Sequence, residues 1–302
     1  MKYSIVQDSR VGARPYNQDR VGYWSTQASL LMMVADGMGG HRNGEVAAQI
    51  ALDHLAESFK RDAKPKLVNP DLFLFRSVGR IHLLLQQQAR RLGLPETPRT
   101  VIVACVVQNG YAYWSHIGDS RLYLVRKGRV LMRTKDHTRV QQLLDRGRIR
   151  EEAVATHPDR NKVLQCLGSD KPPRLEPASS ARLVMGDILL LCSDGLWGPL
   201  TQRQLLHSLI AKDLEPAIAE LVALAETRAG PQCDNVSAVA MSWGEGELAP
   251  ADEPHTLPFH ELPTDVQDLA AINSDFMKMT DEDIERAIAE IRSALRKHSG
   301  TR

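Results

Sequence analysis

Leu30-Leu31-Met32-Met33-Val34-Ala35-Asp36-Gly37 and Ile188-Leu189-Leu190-Leu191-Cys192-Ser193-Asp194-Gly195 both run from apolar residues into Asp-Gly. Runs of this length are too short to cross a membrane. Cut off by Gly, each reads as a buried strand whose last side chain is a carboxylate. Asp119, in Ile117-Gly118-Asp119-Ser120, and Asp234, in Cys233-Asp234-Asn235-Val236, occupy comparable places. If the four converge, their mutual repulsion and the expense of burying unpaired charge require a cation among them. Acidic oxygen ligands suit Mg²⁺ or Mn²⁺ rather than zinc.

The 302 residues, 43% of them hydrophobic, are enough for one large domain plus an appendage, and fit neither a disordered nor a fibrous class. Lys and Arg total 38 against 37 Asp and Glu. With no basic surplus, the charge balance argues against a nucleic-acid or anionic-membrane partner. Cys105, Cys166, Cys192 and Cys233 form no C-x-x-C pair, and three lie in strand-like segments. They read as small buried hydrophobes in a reducing compartment. No apolar stretch approaches the ~18 residues of a spanning helix, and Asp8 and Arg10 interrupt any signal-like core. The expected location is cytoplasmic.

Strand signals at 3–6, 21–24 and 30–35 precede a helical period from Asn43, where Val46, Ala47, Ile50, Ala51, Leu55 and Phe59 recur at three- and four-residue steps. A second helix is expected over 70–92. Residues 100–107, 111–117, 121–126 and 130–133 read as consecutive antiparallel strands, with Asn109-Gly110 and Lys127-Gly128 as tight hairpins. Asp119 falls in the turn between two of them. Turn chemistry alone favours a structural role for it, satisfying nearby backbone amides. A helix over 136–146, an irregular polar segment over 147–177, strands at 181–185 and 187–192, helices at 201–211 and 215–229, and a last strand at 235–243 complete the pattern. Strands and helices come in blocks without βαβ alternation, which predicts packed antiparallel sheets with helices on their outer faces.

Beyond Trp243 the composition shifts. Pro250, Pro254, Pro258 and Pro263 stand amid acidic residues as in a linker. Thr280-Asp281-Glu282-Asp283 then resembles a helix start, and Ile284, Ala287, Ile288, Ile291 and Leu295 form an apolar stripe. Residues 1–244 are expected to be the catalytic domain and 245–302 a linker with a helical extension. The stripe over 280–298 predicts self-docking, a dimer or a partner contact.

The order of motifs resembles one family closely. Arg14-Pro15-Tyr16-Asn17-Gln18-Asp19, Asp36-Gly37-Met38-Gly39-Gly40-His41, Gly118-Asp119-Ser120-Arg121-Leu122-Tyr123, Lys135-Asp136-His137-Thr138, His157-Pro158, Ser193-Asp194-Gly195-Leu196-Trp197 and Asp234-Asn235-Val236 look like the successive signatures of bacterial PPM-family (protein phosphatase 2C) metal-dependent serine/threonine phosphatases. The resemblance implies an α+β fold, a central antiparallel β-sandwich flanked by helices on both sides, with two Mn²⁺ or Mg²⁺ ions at one end. By motif match Asp36 bridges both ions, the Gly37 carbonyl binds one, and Asp194 with Asp234 holds the other. Asp119 matches the carboxylate of a third, weaker ion. Arg14 matches the arginine that clamps the substrate phosphate, for which a planar fork is suited. Gln18, Asp19 and Asn235 support these groups from behind.

The implied reaction is direct attack of metal-bound hydroxide on phosphorus in phosphoserine and phosphothreonine proteins, opposing a bacterial serine/threonine kinase. Uncatalysed phosphate monoester hydrolysis calls for accelerations up to ~10²¹, and one general acid or base supplies only ~10² to 10⁴, so the metals must dominate. Several positions depart from the pattern: Gln18 for a glutamate ligand, Met38 for a histidine general acid, Pro98-Arg99-Thr100 for a small Gly-Thr-Thr-like segment, and Gln165-Cys166 for Arg-Ala in the region bordering the site. His41 is a candidate proton donor or a helix-packing residue. The alternatives to a broad phosphatase are a non-catalytic pseudophosphatase, which would have lost carboxylates, and a partner-switching phosphatase for one regulatory protein.

Overall fold

The computed structural model describes residues 1–38, 43–154 and 157–244, together with the backbone of 255–256. One sheet has the order β1 (Tyr3–Arg10), β10 (Val236–Trp243), β9 (Ile188–Cys192), β6 (Arg121–Arg126) and β7 (Arg129–Arg133). The other runs β2 (Asp19–Ser25), β3 (Ser29–Gly37), β4 (Thr100–Gln108), β5 (Tyr111–Ile117) and β8 (Ser179–Arg182), with the two-residue β11 (His255–Thr256) beside β2. All the pairings are antiparallel.

The apolar runs are continuous because the central strands are covered on both faces. In β3, Leu30, Met32 and Val34 enter the core between the sheets, while Leu31, Met33 and Ala35 pack under the helices α1 (Gly44–Asp62) and α2 (Pro70–Arg91). In β9, Leu189 and Leu191 face the other sheet; Leu190 and Cys192 face α5 (Gln202–Ala211) and α6 (Leu214–Ala229). Period-two alternation therefore sorts each run between two cores, and three cores hold four α-β-β-α layers. Full burial of each Leu, Met or Val among them is worth about 1.5–3 kcal/mol.

Local signals act where expected. Asn69 caps α2, accepting from Leu72 N at 3.0 Å, and Pro70 follows it in the first turn; Thr201 and Gln204 form a reciprocal capping box on α5. Asn109 and Gly110 have φ of 54° and 75°, and Lys127 and Gly128 47° and 73°, the left-handed pair of a two-residue hairpin.

Three boundaries differ from expectation. The helix over 136–146 begins only after Thr138, whose hydroxyl caps it, giving α3 (Arg139–Asp145); Asp136 is drawn out of it by Arg121. Strand β8 lies at Ser179–Arg182, earlier than expected, because Ser179 to Arg182 pair with β5, and Gly186 turns the chain toward β9. Within the expected linker, His255 and Thr256 pair with Tyr23 and Gly22. Residues 39–42, including His41, and the stripe over 280–298 lie outside the described residues.

Buried His82 accepts a hydrogen bond from Gly168 N on Nδ1 at 3.2 Å, and burial lowers its pKa to about 4. A depressed folded pKa means that this stabilisation is complete above the unfolded value near 6.5 and is lost as pH falls toward 4. Between pH 7 and pH 5 the wild type should lose about 2 kcal/mol more than His82→Gln in urea unfolding at fixed Mn²⁺. Parallel stability profiles would contradict a neutral buried imidazole.

Candidate metal centre

Antiparallel alternation brings five acidic residues at or beside strand ends to one end of the sandwich. Strand β3 arrives there with Asp36, β2 departs from it with Asp19, β9 arrives just before Asp194, and β6 and β10 depart just after Asp119 and Asp234. Asp19 lies directly opposite Asp36 in the ladder, a placement of like charges that is destabilising without a counter-charge. The four sequence-expected aspartates, and Asp19 with them, are thus brought together.

The electrostatics follow from that crowding. Burial first, then the charges of Asp19, Asp194, Asp119 and Asp234, raise the pKa of Asp36 well above the usual carboxylate range. Asp194 is shifted up by burial and then by Asp234. Asp119 is raised by burial and then by Asp194 and Asp136. Carboxyl groups crowded in this way are eased by a shared proton or a cation. A hard divalent cation fits this oxygen-only donor set, and no cage of three or more His, Cys, Asp or Glu is already assembled at metal distance among the described residues. Asp234 is engaged instead by Arg14.

Arg14 Nη2 donates to Asp234 Oδ2 at 2.7 Å, and its side chain keeps 52% of its exposure. This hydrogen bond is the main cause raising the Arg14 pKa, with further pull from Asp194 and Asp36, which places the guanidinium at the rim of the cluster. Behind the rim, Asn235 staples the loop over residues 11–18. Its Nδ2 donates to Val11 O at 2.8 Å and Tyr16 O at 3.1 Å, and its Oδ1 accepts from Gln18 N at 2.8 Å. Ser193 Oγ donates to Asp19 Oδ2 at 2.8 Å and accepts from Ser237 N, fixing the buried carboxylate.

Two glycines allow the close approaches. A Cβ on Gly37 would sit 2.4 Å from the Gly44 carbonyl, and one on Gly195 would sit 2.0 Å from Asn235 O. Asp-Gly is therefore required by packing, since the strand end must lie against the neighbouring backbone. Thr100 Oγ1 donates to Asp36 O at 2.7 Å, and Met38 N donates to Arg99 O at 3.0 Å, so the unusual Pro98-Arg99-Thr100 segment still braces the acidic turn.

Sequence reading missed Glu45, Ser193 and the bracket around Asp119. Glu45 accepts from Gln18 Nε2 at 2.9 Å, so the amide at the position of an expected carboxylate meets a carboxylate supplied by α1. Trp197 Nε1 donates to Asp119 O at 2.9 Å, Arg121 stacks on the Trp197 ring, and its fork holds Asp136 at 2.8 and 2.6 Å. The motif Ser193-Asp194-Gly195-Leu196-Trp197 carried the signal for Ser193 and Trp197. Glu45 gave none beyond an acid in a first helical turn.

The sequence profile of the family described as protein phosphatase 2C matches residues 6–232. The chain is 34% identical over 243 residues to the serine/threonine protein phosphatase PstP of Mycobacterium tuberculosis, a match covering 79% of this chain and 44% of that protein. It is 32% identical over 254 residues to protein phosphatase PhpP of Streptococcus pneumoniae, covering 81% and 98%. Among solved structures, the catalytic domain of PstP in complex with two manganese ions superposes with a TM-score of 0.68 at 31% identity, over 80% of this chain and 98% of that one. No helix among the described residues is long and apolar enough to cross a membrane. With strand ends, acidic cluster, sequence profile and superposition in agreement, the chain belongs to the protein phosphatase 2C family of metal-dependent enzymes and is a serine/threonine protein phosphatase.

Proposed function

We propose that residues 1–244 remove phosphate from phosphoserine and phosphothreonine in proteins in a single displacement, opposing a serine/threonine kinase, with Mn²⁺ or Mg²⁺ held by Asp36, the Gly37 carbonyl, Asp194 and Asp234, and a weaker ion by Asp119. The observation that carries this is geometric: Asp19 and Asp36 face each other across the ladder, Asp119, Asp194 and Asp234 lie at the same ends of their strands, and Arg14 Nη2 reaches Asp234 Oδ2 at 2.7 Å. Bound there, the ions supply Lewis acidity and lower the pKa of water toward neutrality.

The chain's own groups supply the rest. Arg14, at the rim and half exposed, offers its planar fork to the phosphate oxygens while Asp234 orients it. Ser193 holds Asp19 so that it lines the cluster without leaving the fold, and Asn235 fixes the loop carrying Arg14 to the strand carrying Asp234. Gln18 reaches Glu45 through its amide, so an acidic oxygen stands at the edge of the site from α1.

With Mn²⁺ the protein should turn over an aryl phosphate and a phosphothreonine peptide, and excess EDTA should stop both. Asp194→Ala should lose turnover together with the calorimetric heat of Mn²⁺ binding; undiminished activity in that variant or in EDTA would refute the assignment. Ser193→Ala removes a group that positions Asp19 and should lower Mn²⁺ affinity or activity about 10–100-fold. Its activity should recover when Mn²⁺ is raised. A wild-type Mn²⁺ titration curve for this variant would exclude the support role.

A further inference from the structure

A second feature stands beside the acidic cluster and carries the opposite charge. A cavity of about 480 Å³ opens between Arg99 and the segment around residues 164–174, with Gln165, Asp170, Lys171 and Arg174 in its wall. Backbone bonds tie this wall to the proposed metal centre on two sides. Arg99 O accepts from Met38 N at 3.0 Å, two residues after Asp36. Leu164 N donates to His137 O at 2.7 Å, and His137 N donates to Gly118 O at 2.9 Å, next to Asp119. Leu167 and Thr100 exchange both of their backbone hydrogen bonds, at 3.2 and 2.9 Å. The cavity wall is therefore joined through the backbone to the segments that carry Asp36 and Asp119.

Three cations line it against one carboxylate. Arg99 Nε is buried and has no hydrogen-bond partner among the described residues. Its neighbour Asp170 lies 3.9 Å from Nη2 with 90% of its side chain exposed, too far for a hydrogen bond. An anion on the Nε–Nη2 edge would satisfy both donors in the bidentate geometry that guanidinium favours. Arg174 Nε is 3.3 Å from Glu176 Oε1, but both side chains are largely exposed, and such pairs are weak enough to yield. The wall itself is held: Gln165 Oε1 accepts from Arg174 N at 2.8 Å, and the single proton of Ser169 Oγ lies between two acceptors, Cys166 O at 2.9 Å and Lys171 O at 2.7 Å.

We infer that Arg99, Lys171 and Arg174 form an anion subsite that selects phosphoprotein substrates carrying an acidic side chain within a few residues of the phosphorylated one. The inference rests on the phosphatase reading and deepens it. A peptide advances roughly 3.3–3.6 Å per residue when extended, so a flanking side chain reaches the neighbouring cavity while the phosphoryl group lies on the aspartates.

The test uses the full chain with Mn²⁺ and two phosphothreonine peptides identical except for glutamate or alanine at the flanking positions; a third peptide carries a second phosphothreonine there and separates carboxylate from phosphate as the source of charge. KM for the glutamate peptide should be about five- to tenfold below that of the alanine peptide, with kcat similar. Arg99→Gln, and independently the surface pair Lys171→Ala with Arg174→Ala, should shrink that ratio to within about twofold by raising KM for the acidic peptide, and high salt should do the same. A lower KM only for the doubly phosphorylated peptide supports the subsite with phosphate as its ligand. Equal KM values across all three peptides with normal turnover, or a preference untouched by both variants, would overturn the subsite alone. No turnover of any peptide would remove the phosphatase reading and the subsite with it.

Discussion

Repulsion among carboxylates is the constraint on which this structure turns. Asp19 and Asp36 face each other across a ladder, Asp36 feels the charge of Asp194, and Asp119 lies within the field of Asp194. Such a group is unstable at neutral pH unless protons or cations are drawn into it. The fold spends stability to hold the charges together, and the chemistry of a phosphatase is what that expense supports.

The expense is met by the sandwich behind the site. Central strands that are apolar on both faces serve two cores at once, so the backbone behind Asp36 and Asp194 is held by packing from two directions. Double coverage is the usual condition of parallel sheets between helices, whereas here it arises from antiparallel sheets stacked face to face with helices outside each. Antiparallel connectivity has a further consequence. Successive strands reverse, so the arriving and departing ends of several strands meet at one edge, and one acidic residue at each terminus is enough to assemble a cluster.

Around the cluster the polar contacts form a gradient from fixed to adjustable. Asn235 and Ser193 are buried and saturated by short bonds, which sets the geometry of the loop over residues 11–18 and of Asp19. Arg14 and Asp234 are half exposed and can exchange partners. Further out, Arg99 and Arg174 have only long or exposed carboxylate neighbours. The fixed groups thus lie closest to the acidic cluster and the looser ones toward solvent.

Much of this was legible in the chain. The runs ending at Asp36-Gly37 and Asp194-Gly195 are local, their alternation is a property of the strand, and hairpins at Asn109-Gly110 and Lys127-Gly128 follow from backbone sterics, so most strands and the candidate aspartates could be read directly. Boundaries that depend on distant partners could not. The expected run of four consecutive antiparallel strands over 100–133 is instead split, β4 and β5 in one sheet and β6 and β7 in the other, because β6 pairs with the distant β9. Asp136 leaves its expected helix for Arg121, β8 is placed by β5, and Glu45 becomes part of the site only because Gln18 is folded against it. Sequence by itself determined which residues are strands and which carry acid, since sterics and periodicity act over a few residues. Only tertiary structure decided which acids feel one another and which cations border them, because electrostatic coupling depends on distance through space and on burial, and neither is written in the order of the residues.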